Sequence, residues 1–418
     1  MSPVNLFLKN QTHPSSLAYR RIKAGWLIDG SGGFVLKDVV VEFKREILSV
    51  IRQEEISHIN SEPFLDYSDC TLIPGMFDAH VHLFMPGSEN VELRKRSLSA
   101  SFNEASVMIR NHLNKHLSSG IVGVRDGGDN GGFALRFKNE QIRDMHLPII
   151  LQAAGKAWHK AGRYGSLIGR PPGENETLGE AILRETSGAD HVKIINSGIN
   201  SLIRYAKETP PQFHPEELEK GVKAAAKLGL PVMVHANGKI PTEIAVSSGC
   251  QSIEHGFFMG KENLKKIRDR NQIWIPTACT MKAFSMLYTG KSKDVSERTL
   301  EDQLNQIRYA GEIGVRVAAG TDSGSMGVHH GASLKDELGL FMDAGYSVQK
   351  AVECATRNGA SLLGLSGMGV IAPGKSATFT AVKGSPADFP LSLNRICGLY
   401  VNGSPILEIS FSGQDKVL

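Results

Sequence analysis

The stretch FDAHVHL, residues 77–83, is a short apolar run that closes on His80-Val81-His82. Its reading decides the architecture. An open, doubly wound sheet is the alternative and would want a phosphate-binding glycine fingerprint after its first strand, whereas here that position holds His-Val-His. A closed barrel instead carries its active site at the C-terminal ends of its strands. Residues i and i+2 of a strand point to the same face, with Cα atoms roughly 6.5 Å apart. Two imidazoles so placed can converge on one cation at metal–nitrogen distances of about 2.1 Å.

Seven further apolar runs follow, each ending in polar or glycine-rich sequence. They are GIVGVRDGG from Gly120, PIILQAAG from Pro148, HVKIINSG from His191, PVMVHANG from Pro231, SIEHG from Ser252, IWIPTA from Ile273 and RVAAGTDSG from Arg316. Helical patterns separate most of them. The clearest, PEELEKGVKAAAKLGL (215–230), has acids in its first turn and Gly229 near its end. Eight βα units in succession predict an α/β fold, a (β/α)8 TIM barrel over residues 75–365. Both ends of the chain read as short strands. VLKDVVVEFKREILSVI is β-branched with partial alternation, and ICGLYVNGSPILEIS carries an Asn402-Gly403 hairpin signal. Residues 17–74 and 366–418 are therefore expected to build one small β-sandwich domain from both termini.

Composition bounds the rest. A chain of 418 residues is longer than one core usually supports unless the fold is a large α/β barrel. Lys plus Arg is 47 and Asp plus Glu 43, a net charge of +4 that gives no footprint for nucleic acid. The five cysteines are scattered, odd in number and without Cys-x-x-Cys spacing, which argues against disulfides or a thiolate zinc site. With no signal-peptide pattern at the N-terminus and no apolar stretch of about 18 residues, neither secretion nor a membrane span is expected. A cytoplasmic protein acting on a small molecule is the simplest expectation, and assembly as a homo-oligomer stays open.

Chemistry collects at the ends of the runs. His80 and His82 close the first, Lys193 sits in the fourth, His235 ends the fifth, His255 the sixth and Asp322 the eighth. One His-x-His in a chain with 14 histidines arises readily by chance. Four histidines and an aspartate, each at a predicted strand terminus, form a candidate metal site; the competing reading is a set of satisfied core histidines.

LIPGMFDAHVHL (72–83), SIEHG (252–256) and AAGTDSG (318–324) resemble signature segments of the amidohydrolase superfamily. GIVGVRDGG, the stretch from LGLPVMVHANG to SIEHG, and AGYSVQKAVECATRNGASLLGL with GVIAPGKSA are similar to its branch of imidazolonepropionase-like proteins and prolidase-type metal-dependent dipeptidases. The resemblance covers most of the chain and implies the same barrel and terminal β domain. Two features depart from that pattern: Thr378 replaces an acidic residue after the final PGK-x-A, and the loop AAGKAWHKAGRYGSLIGR (153–170) lacks a His-Gly-rich character.

A cationic Lys193 would repel a divalent cation. A buried amine loses its proton at modest cost, and the neutral amine can react with carbon dioxide to give an anionic carbamate with two oxygens. The resemblance implies this modification of Lys193 and two divalent metal ions, with zinc expected. His80, His82, carbamylated Lys193 and Asp322 would hold the first, and Lys193, His235 and His255 the second. A lysine paired at the barrel rim is the alternative. The superfamily's mononuclear deaminases carry His-x-x-Glu at the end of the fifth strand, whereas His235 is followed by Ala236-Asn237-Gly238.

The expected function is therefore hydrolysis of a C–N amide bond in a dipeptide, N-acyl amino acid or related amide by a metal-activated hydroxide. Asp322 would act as metal ligand and as general acid–base. Expected substrate contacts are His159, Arg163 and Tyr164 after the third strand, Arg204 after the fourth and His330 after the eighth; singly, each could equally be a solvated loop residue. A mononuclear cyclic-amide hydrolase and a catalytically silent binding protein of the same fold remain alternatives. Trp158 and Trp274 read as packing residues, and His191 as a structural residue deeper on the face of Lys193. His13, His58, His112, His116 and His146 lie away from strand ends.

Overall fold

Alternating buried positions shape the first strands, β1 (Arg20–Leu27), β2 (Leu36–Phe43), β3 (Ile47–Arg52) and β4 (Leu65–Pro74). In β2, Val39, Val41 and Phe43 are buried on one face, the period of two that a half-buried strand imposes. The protein is described here by a computed structural model over residues 18–55, 64–141, 147–186 and 188–408. His13, His58 and His146 lie outside the described residues.

All eight apolar runs contain a strand. β5 (Met76–Val81), β6 (Ile121–Asp126) and β7 (Ile150–Ala153) form a parallel sheet in that order. A second parallel sheet contains β8 (Ala157–Trp158), β9 (Gly169–Arg170), β10 (Val192–Ile195), β11 (Val232–Ala236), β12 (Ser252–His255), β13 (Ile273–Ile275) and β14 (Arg316–Val317), in the order β14-β13-β12-β11-β10-β8-β9. The two-residue strands β8 and β9 fall in the loop 153–170 and are too short to leave a periodic signal. Backbone hydrogen bonds connect the two sheets at both seams. Ala79 N donates to Ala319 O (2.9 Å), Asp322 N to His80 O (2.7 Å) and His82 N to Ser323 O (2.8 Å) on one side, and Asp190 N to Ala153 O (3.1 Å) on the other.

Helices between these strands bury one stripe each. The helix Pro215–Lys227 begins with proline at its first turn and has Glu216 and Glu217 there, which suits the positive end of its dipole. Leu218, Gly221, Ala224 and Ala225 are its buried positions. Gly221 permits close approach to the neighbouring helix Leu178–Glu185, because a Cβ there would lie 2.8 Å from Leu178 Cδ2. The chain leaves the helix through Gly229 at φ +70°, a left-handed turn that glycine adopts without strain. Among the described residues, no helix is long and apolar enough to cross a membrane.

The last strands, β15 (Phe379–Lys383), β16 (Ile396–Val401) and β17 (Ser404–Glu408), join the first in one seven-stranded sheet, β17-β16-β15-β4-β1-β2-β3. The reading of a sandwich anticipates two separate sheets; hydrogen bonding makes one. Four strand spacings of about 4.8 Å would put β2 roughly 19 Å from β16 in a flat sheet. The Phe43 and Tyr400 ring centroids are 5.6 Å apart instead, and those of Phe43 and Phe379 5.1 Å. The sheet therefore folds over a core of its own, drawn from both ends of the chain. Replacing Phe43 by alanine should lower the unfolding free energy by about 3–5 kcal/mol, read as a lower denaturant midpoint; an unchanged midpoint would show that this core does not hold the two ends together.

Candidate metal centre

Strand alternation aims most of the predicted ligands. Asp78, His80 and His82 share one face of β5, Lys193 projects from β10 and His235 from β11. On β12, Ser252 and Glu254 already occupy the inner face, so a regular strand would turn His255 away. His255 instead has φ +66°, and Asp322 has φ +59°. Such left-handed conformations cost non-glycine residues about 1–3 kcal/mol, and here they bring both side chains to the same place.

Among the described residues, the ligand atoms of His80, His82 and Asp322 lie within 4.8 Å of one another. Asp322 Oδ1 is 3.5 Å from His80 Nε2 and 3.3 Å from His82 Nε2. The other imidazoles continue the group: ring centroids are 4.9 Å apart for His80 and His255, and 4.6 Å for His235 and His255. Lys193 is 1 % exposed, and its Nζ has no hydrogen-bond partner among the described residues. His80 Nε2 is likewise buried and makes no hydrogen bond among the described residues. A Cβ at Gly127 would come within 2.8 Å of His82 Cε1 and 3.3 Å of His80 Nε2, so glycine there keeps space beside both rings.

Each imidazole is oriented from behind. His80 Nδ1 is 2.7 Å from Glu254 Oε2, an arrangement that sends its proton to the carboxylate and leaves Nε2 as a lone-pair donor. His82 Nδ1 donates to Gly128 O at 2.9 Å, and His255 Nδ1 meets Thr277 Oγ1 at 2.8 Å. His235 donates through Nε2 to Gly198 O (3.1 Å), which leaves its Nδ1 free. Glu254 Oε1 accepts from Ser252 Oγ (2.5 Å) and Arg125 Nη1 (3.4 Å). Asp78 accepts from Thr321 N (2.9 Å) and Thr321 Oγ1 (2.6 Å), tying β5 to the segment that bears Asp322. Asp126 accepts from Leu83 N and Gly128 N, both at 2.8 Å, and so fixes the loops flanking His82.

Burial, followed by the charge of Lys193, drives His82 and His235 down to about 3. Burial also holds His80 and His255 well below their ordinary value. All four rings are thus neutral at physiological pH, the state a ligand needs. Desolvation lowers Lys193 to about 8 against the opposing pull of Glu254 and Asp322, and raises Asp322 to about 7 against the Ser325 hydroxyl. Four neutral imidazoles, a carboxylate and an unpartnered amine fit a borderline cation such as zinc.

A cavity of about 570 Å³ opens over His82, Lys193, His235, His255 and Asp322. Tyr164 lines it, with its ring centroid 5.6 Å from that of His235. The other expected substrate contacts lie off its lining. Arg163 reaches outward to Pro210 O (3.0 Å), and Arg204 is exposed. His159 is buried with Nδ1 directed to Lys160 O (2.9 Å). His330 is buried in a stack on His112, with centroids 3.9 Å apart, and its nitrogens meet Met85 O (2.7 Å) and Ser323 Oγ (3.1 Å). Both of its polar atoms are engaged below the cavity, so it braces the Asp322 segment. His116 completes that buried cluster, and His191 Nε2 donates to Asp126 O (3.1 Å).

Sequence reasoning missed Arg94, which lines the cavity, and the supporting groups Asp78, Arg125 and Glu254. Asp78 was within reach of the i, i+2 rule that selects His80 and His82. Glu254 was obscured because its neighbour His255 was read as the inward residue.

Two parallel sheets with a histidine-rich centre at their strand ends define the class. The chain belongs to the amidohydrolase family, whose sequence profile matches residues 71–412. It is similar to imidazolonepropionase of Porphyromonas gingivalis (strain ATCC BAA-308 / W83), with 23 % identity over 421 residues covering 91 % of each chain. It is also similar to ochratoxinase of Aspergillus niger, with 24 % identity over 378 residues covering 81 % of this chain and 75 % of the relative. A solved Xaa-Pro dipeptidase with methionine bound in its active site shares the fold, at a TM-score of 0.75 and 24 % identity, covering 93 % of this chain and 99 % of that one. Removing the Glu254 charge by Glu254→Gln should weaken metal retention about 10- to 100-fold, measured by competition with a chelator. Retention equal to that of the unaltered protein would show that Glu254 does not orient His80.

Proposed function

We propose that the chain hydrolyses a C–N amide bond, in a dipeptide, an N-acyl amino acid or a related amide, at a centre of two divalent metal ions. The reading takes residues 75–365 as a closed (β/α)8 barrel, supported by the hydrogen bonds at both seams, and residues 17–74 with 366–418 as a composite β domain. The observation that carries it is the buried, unpartnered Lys193 Nζ among neutral imidazoles. A single-metal site opening a cyclic amide has no use for that amine.

His80, His82, Lys193 and Asp322 would hold one ion and Lys193, His235 and His255 the other, with carbamylated Lys193 shared between them. Zinc suits this mixed nitrogen and oxygen set. Bound divalent cations supply Lewis acidity, which acidifies water and polarises a carbonyl. Asp322, whose Oδ1 stands 3.3 Å from His82 Nε2, would accept a proton from the attacking water at its carboxylate and deliver it to the leaving nitrogen. Water thus adds across the C–N bond to give a carboxylic acid and an amine. Tyr164 stands at the cavity wall beside His235, placed to contact substrate.

Elemental analysis should find close to two metal ions per chain, and a reproducible value near one would overturn the shared site. Lys193→Ala should lose most activity and at least one ion, with partial rescue by a small carboxylate. Only the neutral amine reacts with carbon dioxide. In metal-free protein supplied with ¹³C-bicarbonate, the carbamate carbon signal should therefore grow as pH rises through about 8. Absence of that signal at every pH in both the metal-free and the metal-replete protein would overturn the carbamate.

A further inference from the structure

On a regular β12 the imidazole of His255 would point away from the metal centre, because Ser252 and Glu254 hold the inner face. The chain reverses that alternation within one residue. Gly256 N donates to Ala236 O at 3.1 Å and to Glu254 O at 2.9 Å, and the second bond closes a three-residue turn centred on His255. With φ +66° at its centre, this is the rare and strained form of that turn. Gly256 follows at φ +64°, which glycine adopts without strain. A histidine keeps such a backbone only where surrounding contacts over-determine it.

Those contacts converge on the His255 carbonyl. Its oxygen accepts from Trp274 Nε1 at 3.0 Å and from Gln303 Nε2 at 2.6 Å. Both donor residues are fully buried. On β13, Trp274 pairs in register with Ile253, on the face opposite Glu254, so the carbonyl is held from the outer side of the sheet. Gly256 leaves room for the indole, since a Cβ there would lie 2.7 Å from Trp274 Nε1. Trp274, which the sequence marks as a packing residue, thus also supplies a directed N–H.

Gln303 comes from the long helix Gly290–Ile313 and is itself fixed. Its Nε2 also donates to Pro276 O (2.9 Å), and its Oε1 accepts from Gln306 Nε2 (2.9 Å). One turn further along the same helix face, Gln306 donates to Gly256 O (3.3 Å) and accepts from Gly260 N (2.9 Å). On the inner side, the turned imidazole meets Thr277 Oγ1 through Nδ1 and stands 4.6 Å from His235, centroid to centroid. Gln272 offers a contrast. It is a buried glutamine whose Nε2 donates to two other backbone carbonyls, Val246 O (3.1 Å) and Cys250 O (2.7 Å).

We infer that Gln303 and Trp274 are positioning residues for the second metal ion: by holding the His255 carbonyl outward, they turn its imidazole into the centre. That an ion is bound there rests on the two-metal reading; the positioning of the ring does not. A glutamine that only satisfied core carbonyls would behave as Gln272 does.

The test compares Gln303→Met and Gln272→Met, which are near-isosteric and lack the donor, with Trp274→Phe, which keeps an aromatic ring. Crystals of the metal-free proteins read the ring directly. In Gln303→Met and in Trp274→Phe the left-handed turn at His255 is lost and the imidazole withdraws from His235, whereas Gln272→Met leaves both in place. In zinc-loaded protein, chelator competition resolves the ions. Gln303→Met and Trp274→Phe release one ion about 10- to 100-fold more readily and the other as the unaltered protein does; Gln272→Met changes neither. An imidazole still against His235 in metal-free crystals of both variants, or a loss of zinc that Gln272→Met reproduces, would overturn the inference. A single zinc ion per unaltered chain overturns the two-metal reading alone, and the metal-free crystals then still decide the positioning.

Discussion

The amine of Lys193 is buried at the meeting point of several strands with no partner of its own, and the surrounding structure is arranged around that unresolved charge. Desolvation lowers its basicity, and the same burial keeps His80, His82, His235 and His255 neutral. A protonated lysine would repel any cation those rings gather. In the proposed reading a carbamylated one joins them. The low dielectric that makes an unpaired polar group costly is also the condition that lowers the basicity of this amine.

Beneath the imidazoles, charged side chains act in series. Arg125 meets Ser252 and Glu254, and Glu254 meets His80. Asp126 holds Gly128, whose carbonyl orients His82. Asp78 grips Thr321, one residue before Asp322. These contacts restrict both the tautomer and the direction of the His80 and His82 rings, so that a geometry able to hold a metal ion is built into the protein scaffold itself. The left-handed backbone at His255 and Asp322 belongs to the same constraint, since strain at those positions persists only where neighbouring contacts over-determine it.

The composite β sheet serves the centre at a distance. β4 runs directly into β5 through Pro74 and Gly75, and Thr378 O accepts from Gly75 N at 3.0 Å. The strand that carries His80 and His82 is therefore anchored at its start by the two ends of the chain. Folding of the sheet over Phe43, Phe379 and Tyr400 gives that anchor an apolar core separate from the one around the parallel strands.

Strand periodicity is a local property, and the sequence by itself determined what depends on it: the eight apolar runs that each hold a strand, the order of the elements, and the common face of His80 and His82. The helix Pro215–Lys227 was equally legible, through its proline, its first-turn acids and Gly229. Only the tertiary structure decided which groups meet across strands. Glu254 behind His80, Asp78 beneath Thr321, the buried bracing role of His330 and the place of Arg94 in the cavity wall all depend on distances between segments far apart in the chain. The seven strands joined as one folded-over sheet have the same origin. Alternation states which face a side chain occupies, but packing determines what stands opposite it.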